Sequence, residues 1–465
     1  MDYLSNYFTS KAIAVYFMVL MAITLLAFQY SLPIQWMFTA SFTVFLFFLY
    51  GNKLTRKWAI TSSAGFKKNI FYSALAIRIL WVVGSYFLYQ SMTGEPFEFE
   101  AADSQGYHFE AVWMKNVLAN GNYELFSAYY TNRLSDMGYP AYLTFIYSIF
   151  GNSIIIARLI KALLGALTVL LIYKIASRNL GDTTGRIAGV LAMIFPNLIY
   201  YAGIHTKETE MVFLLVLFIE RAEHLFRKNK LMVFQLLIVV FLGSLLYFFR
   251  AVLFYTAFLS LGMVVLFSSQ RALKFRKTLL AVFFGIITFL FINNSFIIDE
   301  ASGFLEDRGS NQSRSIQHRS TSQKLAKYGS TAIFAPVIFI APFPTFVNIE
   351  TQQNHMLLSG GFFVKNIMAF FVFVALLSLI KKKRWKNHIL ILAIFAIYLT
   401  ILAMSKFAIV ERFHMPAIPL FIILAAFGIT QINKKNIKYF QLYLILISIV
   451  IVGWNWFKLA GRELI

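Results

Sequence analysis

Long apolar runs separated by short polar breaks repeat along almost the whole chain, residues 1–465. Each run is about 17–25 residues long, which is enough to span the hydrocarbon core of a bilayer and longer than most buried elements of soluble proteins. The pattern predicts an all-α integral membrane protein, a single transmembrane domain of about 13 helices, with a sharp turn near Arg250. The predicted spans are residues 12–30, 33–50, 70–91, 155–177, 187–204, 209–226, 231–249, 251–269, 278–294, 362–380, 388–404, 415–432 and 439–457.

The polar breaks carry charge in a pattern that predicts the orientation of the chain. Six of them are strongly basic, with 22 Lys and Arg residues against a single acid, Asp182. Threading thirteen helices in order puts all six on one side of the membrane, and cytoplasmic loops are the ones rich in Lys and Arg. The N-terminus is therefore predicted to be cytoplasmic. The six breaks are residues 51–69, 178–186, 227–230, 271–277, 381–386 and 434–438.

Two long segments fall on the opposite side, and we name them the first outer loop (92–154) and the second outer loop (295–361). The first is acidic and aromatic and ends in apolar 139–150, which is too short to span and is predicted to lie at the membrane surface. The second opens with a polar, basic run, 309–327, whose composition is typical of disorder without a ligand. It closes with apolar 332–347, in which three prolines predict a re-entrant or surface helix.

Composition supports membrane insertion and excludes several other classes of protein. Hydrophobic residues make up 59% of the chain and charged residues only 13%, whereas about a quarter of a soluble chain is charged. The net charge of +22 would suggest nucleic acid in a soluble protein, but these cations lie in the breaks, where they face anionic lipid. No cysteine is present, so disulfides, thiolate catalysis and Cys-bound metals are excluded. No small-residue cleavage site follows the first apolar run, which predicts a retained helix.

The first outer loop holds the best candidate for a catalytic base, Asp103, in the stretch EFEAADSQGYHFEA. Asp103 should lie just outside the hydrocarbon, where partial desolvation raises the basicity of a carboxylate. The alternative is a solvated loop acid, because the same loop contains six other carboxylates. ATP and soluble nucleotide sugars are absent on this side. An activated substrate would therefore have to arrive through the membrane, attached to a lipid.

Several short motifs on the predicted outer side occur in a recognisable order. They are Asp103, Tyr107 and Ala111, then Gly138-Tyr139-Pro140, FGNSIIIARLIKALLGALTVLLIYKIASRNLG (150–181), Lys207-Glu208 and, near the other end, ERFHMPAIPL (411–420). In this order they resemble the glycosyltransferase C superfamily, and within it the branch of protein O-mannosyltransferases and the lipid A aminoarabinose transferase. Two features depart from that pattern. Ser104 follows Asp103 where many relatives carry a second acid, and two helices precede the matching region.

The resemblance implies an inverting transferase whose donor is a sugar on polyprenyl phosphate or pyrophosphate. It assigns Asp103 as the base that takes the proton of the acceptor hydroxyl. Glu208 would be a second acid that orients the acceptor or a metal. Tyr107, His108 and Tyr139 would contact the acceptor or the sugar.

Three cations at outer helix ends, Lys207, Arg250 and Arg412, are the candidates for binding the donor phosphate. The leaving lipid phosphate gains negative charge in the transition state, and cations placed there stabilise it in a low-dielectric setting. A charge at membrane depth is costly, so each of the three is expected to have a function. The alternative is snorkelling to the membrane surface or pairing with a neighbour, of Lys207 with Glu208 and of Arg412 with Glu411.

Other charged and imidazole groups give weaker indications. His108, His205 and His414 share the outer side but show no HxxxH or similar spacing, so a His-built metal site is not expected and metal dependence stays open. Arg158 and Lys161, one turn apart at the start of the fourth predicted helix, are expected to anchor it to lipid headgroups, and the alternative is contact with a phosphate.

The sequence therefore predicts a glycosyltransferase of the plasma membrane, in particular a bacterial inner membrane, with its site facing the periplasm or exterior. Its partners would be a polyprenyl-linked sugar, membrane lipids and an acceptor that is either a lipid-linked saccharide or a protein, with no nucleic acid. One alternative is a polymerase or ligase of lipid-linked repeat units, and another is a transporter or flippase of lipid-linked oligosaccharide. The predicted helices are nearly free of ionisable groups at their middles, which favours an interfacial enzyme over a transporter. The second outer loop is expected to close over the site as a lid, and the alternative is a solvated connector.

Overall fold

The computed structural model describes residues 3–131, 133–227, 233–267, 338–405 and 408–462, and all the regular elements within these ranges are helices. The first helices are α1 (Asn6–Leu26), α2 (Ile34–Trp58), α3 (Ser63–Thr93), α4 (Ala102–Ala119), α5 (Tyr123–Tyr130), α6 (Gly138–Phe150), α7 (Ile154–Leu180), α8 (Asp182–Ile194) and α9 (Pro196–Tyr200). They are followed by α10 (Glu208–Arg227), α11 (Val233–Phe249), α12 (Ala251–Phe267), α13 (Gln353–Leu357), α14 (Ser359–Lys381), α15 (Ile389–Ala403), α16 (Ile418–Thr430) and α17 (Lys434–Ala460). The all-α prediction is confirmed for the described residues.

Eight helices in the described ranges are long and apolar enough to cross a membrane. The protein is therefore an integral membrane protein. The eight are α1, α2, α3, α7, α14, α15 with its preceding turn, α16 with the 3₁₀ turn before it, and α17. α11 and α12 are shorter apolar helices that meet at Arg250, as the sequence predicted. The total of about 13 spans stays a prediction. Residues 278–294 lie outside the described residues, and the predicted spans 187–204, 209–226, 231–249 and 251–269 are not among the eight helices.

The predicted single helix 187–204 is wrong. α8 ends at Ile194 and Pro196 begins the short helix α9, because proline cannot donate the backbone hydrogen bond that a continuous helix requires. The break leaves carbonyl groups without helical partners. The guanidinium of Arg78, fully buried in the middle of α3, donates to the carbonyls of Ala192 and Met193 at 3.3 Å each. Arg78 is an ionisable group at the middle of a helix, where the sequence predicted very few.

Contacts between the basic breaks place several of them at one end of the bundle, which we name the basic end. Arg186, near the start of α8, donates to the carbonyls of Trp58 and Thr61 at 3.0 and 2.6 Å, which joins this end of α8 to the end of α2 and the α2–α3 connection. Arg178 pairs with Glu220 of α10 at 2.7 Å. The loop before α4, the 201–207 segment, Arg250 and the turn before α16 lie at the opposite ends of their helices.

The second outer loop differs from its prediction where it is described. Residues 338–349 form no helix, and residues 338–347 are buried inside the protein rather than on a membrane surface. Side chains replace the missing helical hydrogen bonds: Asn366 donates to the carbonyls of Ile340 and Pro342, and Asn455 to that of Pro344. The polar run 309–327 and most of the proposed lid lie outside the described residues.

The contact between α14 and α16 depends on Gly428. A Cβ atom at this position would overlap the carbonyl oxygen of Phe371, so only glycine allows the two helix backbones to approach this closely. Gly428→Ala should therefore destabilise the protein by about 1–3 kcal/mol through overpacking. Thermal unfolding of purified protein in detergent checks this. Gly453→Ala in α17 is the matched control, because an added methyl group there would meet no atom within 4 Å, and an unchanged melting temperature in both variants would contradict the prediction.

Candidate functional site

The first turn of α4 presents the predicted base. Asp103 lies one residue after the start of this helix, where a carboxylate interacts favourably with the positive end of the helix dipole. Tyr107 and Glu110 follow at spacings of four and seven residues, so all three lie on one face of α4. This face points toward the 201–208 segment and the turn before α16, as the following contacts show.

Asp103 and Arg412 form an ion pair. Arg412 lies in the 3₁₀ helix Glu411–Ala417, and its guanidinium stacks on the neighbouring ring of Phe413, 5.0 Å from the ring centroid. Arg250, from the α11–α12 turn, stacks on the same ring at 4.4 Å. Two of the predicted phosphate-binding arginines therefore share one aromatic ring beside the predicted base.

Lys207 and Glu208 are neighbours in the sequence, but each pairs with a different, distant residue. Lys207 pairs with Asp136 of the first outer loop at 2.5 Å, and its ammonium group lies 5.8 Å from the centroid of the Tyr107 ring. Glu208, at the start of α10, faces Arg250 instead, with 3.7 Å between Oε1 and Nη2. Lys207 and Glu208 therefore do not satisfy each other, and the predicted site residues come together from four different parts of the chain.

The aromatic candidates form a layer next to these charges. The rings of Tyr107 and Tyr139 meet edge to face with centroids 5.1 Å apart, and Tyr139 is fully buried beneath Tyr107. His108 Nδ1 lies 2.8 Å from the hydroxyl of Tyr147, which in turn lies 3.0 Å from Nε2 of His205. His108 and Tyr107 are partly exposed, so of the three predicted acceptor contacts these two are accessible.

Burial changes the protonation behaviour of the groups on α4. Desolvation lowers the pKa of the His108 imidazole, so His108 is neutral at ordinary pH. Desolvation raises the pKa of Glu110, an effect partly opposed by the hydrogen bond that Tyr130 donates to its carboxylate at 2.7 Å. Burial, with the nearby charge of Glu208, also raises the pKa of Tyr107. Tyr107 is thus a hydrogen-bonding phenol rather than a phenolate.

A buried network holds the turn that carries Arg412. The carboxylate of Glu411 accepts hydrogen bonds from Asn197 at 2.7 Å and from the hydroxyl of Tyr201. His414 contacts Lys365 of α14, with 3.1 Å between Nδ1 and Nζ. Glu411 points into the protein and Arg412 points to Asp103, so the alternative pairing of these two neighbours is wrong.

Arg158 and Lys161 do not lie at lipid headgroups, because both side chains are fully buried. Lys161 donates to the carbonyl of Ile204 at 2.9 Å and to that of Thr206, and it lies 3.5 Å from Glu210. These two carbonyls belong to the irregular 201–207 segment and accept no hydrogen bond from a backbone N–H of the described residues. Lys161 therefore fixes the segment that presents Lys207.

Two residues of the site were not predicted from the sequence. Phe413 is part of the ERFHMPAIPL motif, but an aromatic residue between charges gives no sign that two arginines share its ring. Asp136 is one of several loop acids, although it lies two residues before Gly138-Tyr139-Pro140. Among the residues that the structure describes, no group of three or more His, Asp or Glu side chains is placed to hold a metal ion.

These observations define an all-helical integral membrane protein with a cluster of acids, cations and aromatic rings at the opposite end from its basic end. Residues 137–293 match the family model described as dolichyl-phosphate-mannose-protein mannosyltransferase, a family of membrane glycosyltransferases in the glycosyltransferase C superfamily. The match confirms the resemblance predicted from the motifs, over about a third of the chain. It includes Lys207, Glu208 and Arg250, whereas Asp103 and Arg412 lie outside it. No curated protein and no solved structure matches the chain.

Proposed function

We propose that this protein transfers a sugar from a polyprenyl phosphate or pyrophosphate to a hydroxyl acceptor, with inversion at the anomeric carbon. The observation that carries the proposal is the cluster around Phe413, in which a potential base, Asp103, and two potential phosphate ligands, Arg250 and Arg412, lie side by side. The matched family supports the same class of donor, because its description names a lipid-phosphate sugar.

Asp103 acts as the base in this mechanism. The acceptor oxygen bonds to the anomeric carbon as the bond from that carbon to the donor phosphate oxygen breaks, and the hydroxyl proton passes to the carboxylate of Asp103. The lipid phosphate leaves with one more negative charge than it carried in the donor. A base held at the reacting hydroxyl contributes about 10²–10⁴-fold to such a step.

The cations stabilise the leaving phosphate. Arg250 Nη1 is buried and has no hydrogen-bond partner among the described groups, so a phosphate oxygen would supply the partner it lacks. Lys207 contributes a second positive charge next to Tyr107. Charge-assisted hydrogen bonds of this kind strengthen as the phosphate gains charge, which lowers the barrier rather than merely tightening binding.

Acceptor contacts are assigned to the exposed parts of the aromatic layer. Tyr107 and His108 offer a phenol and a neutral imidazole next to Asp103 on α4, and Tyr139 supports the Tyr107 ring from beneath. Glu208, paired with Arg250, orients that arginine and is the second acid of the site. The acceptor is a lipid-linked saccharide or a protein. If it is a lipid-linked repeat, the same site would act as a polymerase or ligase.

The site faces the periplasm or exterior in this proposal, because the basic end is then cytoplasmic. The hydrogen bonds of two buried cations, Arg78 and Lys365, argue against a transporter of lipid-linked oligosaccharide. Arg78 donates to carbonyls at the α8–α9 break, and Lys365 bonds to the carbonyl of Ala341 and to His414. These two cations bond to groups of the fold itself, as expected of structural charges rather than of charges that carry a substrate.

A transfer assay tests the proposal. Purified protein in lipid nanodiscs is incubated with a panel of radiolabelled polyprenyl-phosphate and polyprenyl-pyrophosphate sugars, with a lipid-linked saccharide or a peptide as acceptor. We expect at least one donor to lose its label to the acceptor and to release the lipid phosphate. Movement of intact labelled lipid across vesicles, with no donor cleaved, would contradict an enzyme and support the flippase alternative.

A further inference from the structure

Every cation assigned to the donor phosphate is paired with a carboxylate in this structure. Arg250 faces Glu208, Lys207 bonds to Asp136 and Arg412 contacts Asp103. A donor phosphate that binds here must therefore compete with carboxylates for these cations. Which pair yields to the phosphate determines what else changes when the donor binds.

Arg412 is the most accessible of the three cations. It is 37% exposed and its partner Asp103 48%, whereas Arg250 and Glu208 are 14% and 3% exposed, and Lys207 is 6% exposed although its partner Asp136 is 71% exposed. Ion pairs at such exposed positions are weak, because water and salt screen them. A phosphate can approach the outer side of this pair without opening the helix bundle.

Arg412 is held in place independently of Asp103. Its guanidinium stacks on Phe413, and the turn that carries it is anchored through Glu411 and His414 to α9, α14 and the segment after α9. Asp103 lies in the first turn of α4, and helix ends fray more readily than packed turns. Loss of the pair would therefore leave the arginine where it is and release the carboxylate.

We propose that the donor phosphate displaces Asp103 from Arg412, so that donor binding itself releases the catalytic base. The inference rests on the proposed function. A positive charge next to a carboxylate stabilises its proton-free form and makes it a weaker base. When the phosphate takes over Arg412, Asp103 becomes a stronger base at the moment the sugar is in place. The transferase then binds its donor before its acceptor can react.

Binding of a polyprenyl phosphate without a sugar tests the exchange apart from catalysis. Asp103→Asn removes the competing charge, so it should bind this lipid on the order of threefold to tenfold more tightly than the parent protein. Arg412→Gln should bind it more weakly. In the double variant Asp103→Asn/Arg412→Gln, the gain from Asp103→Asn should disappear, because the two substitutions act on one contact. Affinities are measured by titration in nanodiscs at low salt.

Glu124→Gln controls for a general loss of negative charge, because Glu124 is an exposed acid in the first turn of α5 in the same outer loop. Its affinity should match that of the parent, and melting temperatures should show that all variants are folded. Equal or weaker binding by Asp103→Asn, or a gain that persists without Arg412, would overturn the exchange. If the parent binds the lipid and transfers sugar while Asp103→Asn shows no gain, only this inference fails. If the parent neither binds the lipid nor transfers sugar, the proposed function fails.

Discussion

Asp103→Asn should lower the rate of sugar transfer by about 10²–10⁴-fold, because asparagine cannot accept the proton of the acceptor hydroxyl. The substitution keeps the size and shape of the side chain, so substrate positions are preserved. Stability should change little, since the ion pair with Arg412 is about half exposed and such pairs contribute only about 0–1 kcal/mol. Initial rates at saturating donor and acceptor, with thermal unfolding in parallel, measure both effects.

Glu124→Gln is the matched control for this experiment as well, because it removes an exposed carboxylate from the same outer loop and should keep the parental rate. A fully active Asp103→Asn protein would remove Asp103 from the role of base. Glu208→Gln would then be the next variant to test, since Glu208 is the other acid facing the site arginines.

Most of the membrane helices could be predicted because bilayer thickness imposes a length and a hydropathy that are visible in one dimension. The prediction failed where backbone geometry mattered more than hydropathy. Apolar 187–204 is divided at Pro196, and apolar 338–347 is an irregular buried segment. Helices α4 and α5 were missed because neither contains a long apolar run: polar residues interrupt α4, and α5 is only eight residues long.

The motifs predicted which residues form the site, but they could not predict which residue each of them pairs with. Lys207 and Glu208 are adjacent in sequence at the start of α10 and face different partners, and Glu411 and Arg412 diverge in the same way. Adjacent residues in a helical turn point in different directions, whereas residues three or four apart are neighbours. The actual partners of Lys207 and Arg412 are 71 and 309 positions away, and only tertiary packing brings them together.

Buried charge was the other limit of sequence analysis. Arg158 and Lys161 were expected at headgroups because long basic side chains near helix ends commonly reach the interface. The structure shows Lys161 bonded to the irregular 201–207 segment instead. The sequence pattern cannot show that the carbonyls of Ile204 and Thr206 have no backbone partner among the residues that the structure describes. Because they have none, a buried ammonium group is favourable here.

Arg250→Gln should weaken donor binding by about 1–3 kcal/mol, or roughly 5- to 150-fold in Kd. Arg250 stacks on Phe413 and faces the carboxylate of Glu208. Its Nη1 atom is buried and has no hydrogen-bond partner among the described groups. Glutamine keeps hydrogen-bonding capacity but loses the charge and the planar guanidinium. Titration with polyprenyl phosphate and steady-state rates over a range of donor concentrations measure the effect.

Arg250→Lys separates charge from geometry. Lysine restores the positive charge but neither the stacking on Phe413 nor a bidentate contact with phosphate, so it should recover only part of the lost affinity. Arg133→Gln is the matched control, because Arg133 is an exposed arginine of the first outer loop that stacks on Tyr129, and its donor titration should overlay that of the parent. Since Arg250 is largely buried, melting temperatures must show that the variants are folded. A folded Arg250→Gln protein whose donor titration also overlays the parent would exclude Arg250 from phosphate binding, and the donor would then depend on Lys207 and Arg412 alone.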